Sequence, residues 1–254
     1  MLYRWCMERT EPRRSPRLLI ALLAAALLAA ACTTRNLAST DASKPQRLVD
    51  KALDVLKELD KQPELKDLMD LAAGAEGLVV LPETTKIAFL YGGQLGDGVI
   101  LGRNATTGKW SYPAFCAVGD MSAGLQAGFQ TGPLVLVLLT DTALSLAVDT
   151  GFSLGGDASV TFVTGTVSNF TSTRTAGKDV VHYWDPMGAY AGVSLKGGLL
   201  TPLPEMNARY YLDPDATSHR VVVEGKYANP GAQQLRDFLD RLSTEAWADG
   251  PYLR

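Results

Sequence analysis

The sequence has few residues of the kinds that support metal sites, disulfide frameworks or membrane-spanning helices. Its 254 residues include three cysteines and two histidines, and neither His182 nor His219 has partners at metal-ligand spacing. His182 alternates with apolar strand residues and is predicted to be a half-buried position of a sheet. The longest uncharged apolar run, residues 18–31, has 14 residues, whereas a helix needs about 20 to span a bilayer. We therefore expect no metal, no cofactor and no permanent membrane helix.

The first 31 residues have the pattern of a secretory signal peptide. A basic cluster at residues 13–17 precedes the apolar run, and Ala29-Ala30-Ala31 stands before Cys32. Small residues followed by cysteine resemble a bacterial lipobox, although Ala29 occupies a position where leucine is usual. The pattern predicts acylation of the Cys32 thiol, which would hold the protein at a membrane if two or more chains are attached. The alternative is an ordinary signal peptide cleaved after Ala31.

The other two cysteines bear on this prediction. Cys6 would leave with the signal, so an acylated Cys32 would leave Cys116 without an intramolecular partner. Cys116 lies in the apolar stretch 114–118, which is typical of a small buried side chain. A disulfide between Cys32 and Cys116 is the competing interpretation. Because Thr33 rather than aspartate follows Cys32, analogy with other lipoproteins favours the outer membrane, with the protein facing the periplasm.

The charge of the mature chain argues against a nucleic-acid partner. Residues 1–31 hold five arginines and two glutamates, so 24 basic and 27 acidic residues become 19 and 25, a net charge of about −6. A local basic patch on a membrane-facing surface remains compatible with this balance. At this length the mature chain fits one domain.

Three regions follow the signal. Residues 32–46 are polar and are predicted to form a flexible tether. Residues 47–73 have apolar residues at helical spacing, broken at Pro63, and predict a pair of helices. A short helix is predicted over residues 142–148, and a longer one over residues 231–247. The domain is predicted to cover residues 47–247.

Between the helices, apolar residues recur at every second position and glycine is frequent, which predicts strands. Short, glycine-marked connections favour antiparallel pairing, and glycines within strands indicate bends or a close backbone approach. The predicted class is α+β: a glycine-rich, mainly antiparallel, curled sheet or barrel with an N-terminal helix pair and a C-terminal helix. The predicted strands are residues 78–81, 87–91, 98–101, 134–139, 159–163, 180–184, 191–195 and 221–223.

Several segments of this region resemble the SYLF domain in order and spacing. They include residues 77–82, 91–98, 110–115, 122–128, 154–159, 191–195 and 207–211. The resemblance covers roughly residues 47–243. It implies a non-catalytic lipid-binding module; eukaryotic members bind phosphoinositides, and yeast members are also described as actin regulators. Two cationic family positions, after Gly165 and before Ala191, are not cationic here, so general phospholipid contact is the expectation rather than phosphoinositide specificity.

Five basic residues are candidates for contact with lipid headgroups: Arg47, Lys51, Lys86, Arg103 and Lys109. Ordinary solvated surface charge is the alternative for each of them. For the whole domain, the alternative to a lipid-binding module is an envelope scaffold that binds a protein partner.

A serine-hydrolase site is the third hypothesis. Residues 151–155 fit the Gly-x-Ser-x-Gly pattern around Ser153, and Asp185 or Asp213 and then His219 follow in hydrolase order. That motif requires a strand, a sharp turn and a helix within a parallel sheet. The residues after Ser153 are polar, glycine-rich and then strand-like, so the sequence favours a domain without catalytic activity.

Overall fold

The structure is a computed structural model. It describes residues 43–153, 160–164, 177–185, 187–191 and 198–248, and all of them belong to one compact unit, residues 42–254. The signal peptide, Cys32 and most of the predicted tether lie outside the described residues. In the described part, no helix is long and apolar enough to cross a membrane.

The predicted N-terminal helix pair is confirmed. Helix α1 (Lys44–Asp60) leads through a 3₁₀ turn (Pro63–Leu65) into α2 (Lys66–Gly74). Helix α1 starts at Lys44 rather than at residue 47, because Pro45 fits a first helical turn, where no backbone N–H is needed. Its apolar stripe, from Val49 to Leu59, is buried against the sheet.

A very long hairpin forms the centre of the sheet. Strand β1 (Gly77–Gly102) pairs antiparallel with β2 (Ala114–Leu138), from Gly77 opposite Leu138 to Ile100 opposite Ala114. The predicted strands 78–81, 87–91 and 98–101 are therefore parts of one strand. Register shifts near Pro82 and residue 90 bend the ladder, and such bulges increase strand twist.

The remaining strands attach mainly to β2. They are β3 (Phe152–Ser153), β4 (Val160–Thr164), β5 (Val180–Trp184), β6 (Met187–Ala191) and β7 (Leu199–Pro202). Strands β5, β6 and β7 each pair antiparallel with a different part of β2, β3 pairs with β7, and β4 pairs parallel with β5. The result is the predicted curled, mainly antiparallel sheet, in the form of a half-barrel.

The curl brings the two ends of β1 together. The Arg103 N–H donates to the carbonyl of Glu76 at 2.8 Å. Further along, a Cβ atom at Gly98 would lie 2.8 Å from the Cα of Leu81, closer than real side chains come. Glycine is required here because the backbones of the two halves of β1 almost touch.

Four more helices complete the fold. They are α3 (Asp141–Asp149), α4 (Pro204–Tyr211), α5 (Ser218–Val222) and, after a 3₁₀ turn (Pro230–Ala232), α6 (Gln233–Ala248). Helices α3 and α6 confirm the predictions for residues 142–148 and 231–247. The residue after α4, Leu212, has a left-handed backbone (φ 56°) and is 91% exposed.

The sheet is covered on both faces. Alternate residues of each strand enter cluster 1, shared with α1, α2, α4 and α6, or cluster 2, shared with α3 and α5. Val99 and Phe115 lie in cluster 1, whereas Ile100 and Cys116 lie in cluster 2. All buried members of both clusters fall between Val49 and Leu242, so a chain beginning at Ser43 keeps the whole core described here.

Two expectations were wrong and one is confirmed. Residues 221–223 were predicted as a strand, but Val221 and Val222 lie in α5, where the Thr217 side chain caps the first turn by accepting from the Arg220 N–H at 3.2 Å. His182 was predicted to be half-buried and is 0% exposed, because both faces of β5 are covered. Cys116 is the small buried residue that was expected, with a free thiol.

Candidate functional site

The first turns of α1 carry a row of basic side chains beside β1, which we call the α1 basic edge: Lys44, Arg47 and Lys51. Their spacing of three and four residues places them on one side of the helix. The Lys44 Nζ lies 2.5 Å from Asp97 Oδ2, and the Lys51 Nζ lies 2.9 Å from Glu83 Oε2.

The cations of the α1 basic edge have partners on β1 and on α1 itself. Lys44 and Lys51 face Asp97 and Glu83 on β1, and Arg47 donates to the Ser43 hydroxyl. The Lys51–Glu83 pair is more than half exposed, and such exposed pairs contribute at most about 1 kcal/mol to stability. Lys51 can therefore change partner at little cost.

Lys86 lies on β1 in register with Gln130, three positions after Glu83. Its backbone thus continues along β1 from the strand region that faces Lys51. The contacts of its side chain lie outside what the structure describes.

Arg103 has a structural position at the other end of the strand. Its Nε and Nη2 donate to the carbonyls of Ala75 and Gly74 at 3.0 and 3.1 Å, so the guanidinium caps the C-terminal end of α2. Arg103 is paired with Glu76, which lies about seven residues, or roughly 23 Å, along β1 from Glu83. The structure therefore does not bring Arg103 together with the α1 basic edge.

Lys109 belongs to a junction between the loop after β1 and helix α6. Its Nζ lies 3.3 Å from Asp240 Oδ2, and the other oxygen of Asp240 accepts from the Trp110 N–H at 3.0 Å. The Trp110 indole donates to Ser243 Oγ at 2.9 Å, and that hydroxyl donates to the Ala73 carbonyl at 2.8 Å. This partly buried chain of bonds joins α2, the loop and α6, and no periodic pattern in the sequence predicts it.

The described residues around Ser153 do not have the arrangement that the hydrolase hypothesis requires. Ser153 ends the two-residue strand β3, paired with Leu199, and helix α3 precedes it instead of following it. The next strand described, β4, is separated from β3 by residues 154–159, which lie outside the described residues. The strand, sharp turn and helix that the motif requires are not present in the described part of the chain.

The proposed partners of Ser153 also have other neighbours. The His219 Nδ1 lies 2.9 Å from Asp149 Oδ1 on α3, rather than from Asp185 or Asp213. Asp213 accepts from the Asp215 N–H and from the Tyr227 hydroxyl, and these bonds lower the pKa of its carboxyl. Among the described residues there is also no group of three or more potential metal ligands.

The comparison with protein families decides the classification. Residues 119–242, from the first half of β2 to α6, match the Ysc84 family, described as a Las17-binding protein actin regulator. The chain contains a Ysc84 (SYLF) domain. The match covers the part of β2 that pairs with β5 and β6, together with helices α3 to α5 and most of α6.

Eukaryotic relatives agree with this classification. The chain is 31% identical to SH3 domain-containing YSC84-like protein 1 of Rattus norvegicus over 185 residues, which are 68% of this chain and 52% of the rat protein. The Bos taurus protein of that name is 28% identical over 186 residues, 70% of this chain and 52% of that protein. LAS seventeen-binding protein 3 of Saccharomyces cerevisiae is 29% identical over 167 residues, 64% of this chain and 36% of that protein.

The chain thus spans about half the length of the animal relatives and about a third of the yeast protein. The family description and the name of the yeast relative refer to binding and regulation, and neither names a reaction.

Proposed function

We propose that this chain is a bacterial envelope lipoprotein, acylated at Cys32, whose SYLF domain contacts membrane phospholipid and catalyses no reaction. The observation that carries the proposal is the position of the α1 basic edge. Lys44 and Arg47 stand in the first turn of the domain, directly after the segment that would connect it to Cys32. An acylated Cys32 would therefore tether the domain by the end that carries these cations.

The electrostatics favour weak contact with anionic headgroups. A basic residue near an anionic membrane surface contributes about 1 kcal/mol, and this attraction is screened by salt. The α1 basic edge places three cations on one side of the helix, within a mature chain that is acidic overall. The acyl chains would therefore supply the stable attachment, and the cations would add a weaker contact that orients the domain.

The anchor has a direct test. The full-length chain, expressed in a bacterium with labelled palmitate, should incorporate label and fractionate with the outer membrane. The variant Cys32→Ser should incorporate none. Equal labelling of the two proteins, or none in either, would contradict acylation at Cys32.

Lipid contact is tested separately with a chain beginning at Ser43, which carries no acyl chains. This domain should float with vesicles of phosphatidylethanolamine and phosphatidylglycerol. The double variant Arg47→Ala/Lys51→Ala should bind roughly tenfold more weakly at low salt, since two cations near the surface are removed. The control Lys61→Ala, at the far end of α1 beside Glu58, should bind like the wild type.

A scaffold that binds a protein partner is the second candidate. It is favoured by the family description and by the name of the yeast relative, which both refer to binding of Las17. A domain that does not float with these vesicles would favour this alternative.

A further inference from the structure

Two leucines of the sheet are exposed on the same row of strand pairing. Leu95 on β1 and Leu199 on β7 are 61% and 50% exposed. Both lie directly opposite Gly119 on β2, Leu95 on one side and Leu199 on the other. We call Leu95, Gly119 and Leu199 the apolar row.

The apolar row forms one continuous surface. Residues directly opposite one another across strands share a face of the sheet, so both leucines lie on the same side. Adjacent strands are about 4.8 Å apart, which places the two leucine Cα atoms roughly 10 Å apart. Gly119 leaves room between them, since a Cβ atom there would lie 3.8 Å from Leu95 Cδ2.

This surface continues the face that carries α1. Leu95 is four residues before Val99 on β1, and Gly119 is four residues after Phe115 on β2, so all four lie on the same face of the sheet. Val99 and Phe115 are buried in cluster 1 beneath the helices. At the apolar row the helices no longer cover the sheet, so the leucines of this face are exposed to solvent. The exposed row is therefore an uncovered extension of an otherwise buried face.

On the side where its neighbours are described, the row borders no uncompensated charge. The next residues on this face are Asp97 on β1, Ala117 on β2 and Thr201 on β7. The Asp97 carboxylate lies 2.5 Å from the Lys44 ammonium, so its charge is compensated. Such a row can enter an apolar boundary without carrying an unpaired charge into it.

The Lys44–Asp97 contact also determines where the segment before Ser43 joins the domain. Asp97 is two residues from Leu95 on the same strand, so the segment before Ser43 joins the domain beside the apolar row. The ten residues 33–42 span at most about 35 Å when extended. A membrane anchor at Cys32 would hold this row within that distance of the bilayer surface.

We infer that the apolar row inserts into the interfacial region of a phospholipid bilayer, with Leu95 and Leu199 as the inserted side chains. The inference rests on the proposed lipid contact and adds its apolar component and its orientation. The α1 basic edge then lies at headgroup level beside the inserted row. Insertion of uncharged side chains is insensitive to salt, whereas contact through the cations is screened.

The test uses the chain beginning at Ser43 and vesicles of phosphatidylcholine, which carry no net charge. The wild-type domain should float at both low and high salt. The double variant Leu95→Asp/Leu199→Asp should bind at least tenfold more weakly, because half-exposed leucines lose their burial in the bilayer and charge is added. The milder variant Leu95→Ala/Leu199→Ala should give an intermediate loss.

The matched control is Leu212→Asp/Val223→Asp, which changes two other exposed apolar residues, 91% and 46% exposed. Its flotation should equal that of the wild type. Thermal melting should give similar transitions for all variants, since the four leucine and valine side chains are outside the core. If melting shows that the aspartate variant is unfolded, the alanine variant decides the question.

A second measurement locates the row directly. In a Cys116→Ala background, an environment-sensitive fluorophore on Leu95→Cys or Leu199→Cys should shift to the blue with vesicles. The same fluorophore on Val223→Cys should not shift. Equal responses at all three positions would overturn the inference.

The outcomes separate this inference from the proposed function. If the wild type floats and the leucine variants float equally well, lipid contact stands and the apolar row is not its site. If the wild type does not float with any vesicle, both fail. If the wild type elutes as a dimer that the aspartate variant dissociates, while flotation is unchanged, the row binds a second copy and the inference is overturned.

Discussion

Burial changes the acid–base behaviour of one histidine in the sheet. His182 is fully buried on the face of β5 that contributes Val180 and Trp184 to cluster 2. Desolvation disfavours the imidazolium and lowers the pKa of His182 to about 4, against about 6.5 in an unfolded chain. The folded domain therefore holds this side chain neutral at neutral pH.

The stability of the domain should consequently depend on pH. Between about pH 6.5 and pH 4 the unfolded chain binds a proton at His182 that the folded chain does not bind. The free energy of unfolding should fall as the pH is lowered through this window, by roughly 3 kcal/mol at most, and the full contribution should be present above it. Urea unfolding at a series of pH values measures this slope.

Two variants identify the residue responsible. His182→Leu should flatten the slope between pH 6.5 and 4 relative to the wild type. His219→Gln removes the other histidine, which lies at the surface beside Asp149, and should keep the slope. A slope that survives in His182→Leu would contradict the assignment.

Individual side-chain roles were only partly predictable. The apolar neighbours of Cys116 predicted its burial, because the hydrophobicity of a short segment can be read from adjacent residues alone. The bonds of Arg103 and Lys109 were not predictable, because their partners, the C-terminal end of α2 and Asp240 on α6, are distant in sequence. Headgroup contact by the basic residues of the α1 basic edge stays a prediction.

At the scale of elements, strand β1 depends on the close approach of its own two halves. Gly98→Ala should destabilise the domain by about 2 to 3 kcal/mol, because the new methyl group meets the backbone of Val80 and Leu81 rather than a movable side chain. Gly119→Ala is the control, with a methyl contact of 3.8 Å to a flexible leucine end, and should change stability by less than about 1 kcal/mol. Denaturant midpoints compare the two variants. Equal midpoints would contradict a close contact between a side chain at position 98 and the backbone of Val80 and Leu81.

The sequence predicted the existence of strands and helices better than their continuity. Glycines and Pro82 interrupt the alternation between residues 78 and 101, so three strands were expected where the ladder with β2 carries one. Helix α5 was missed because three consecutive valines favour a strand locally. Its capping by Thr217 and its packing in cluster 2 override that preference.

At the scale of the whole molecule, the thiol of Cys116 reports on global opening. It is fully buried, and burial raises the pKa of the thiol far above its usual range. In a chain beginning at Ser43 it is the sole cysteine of the sequence. Its reaction with a thiol reagent should be at least about a thousandfold slower in the folded domain than in urea, since it requires extensive unfolding.

The matched control is Leu212→Cys in a Cys116→Ser background, which places the thiol at a position that is 91% exposed. This thiol should react in the folded domain almost as fast as in urea. Rapid reaction of Cys116 in the wild-type domain would show that the sheet opens locally.

Helix α6 supplies the last side chains of cluster 1, which helix α1 begins. Leu235, Phe238, Leu239 and Leu242 of α6 fill cluster 1 against α1 and α2, and Ser243 holds the Ala73 carbonyl. A chain that leaves the ribosome or threads through a translocon N-terminus first must therefore wait for its final turns before the core can close. Loss of the last turns of α6 should therefore prevent closure of cluster 1, whereas removal of the residues before Ser43 takes away none of its described members.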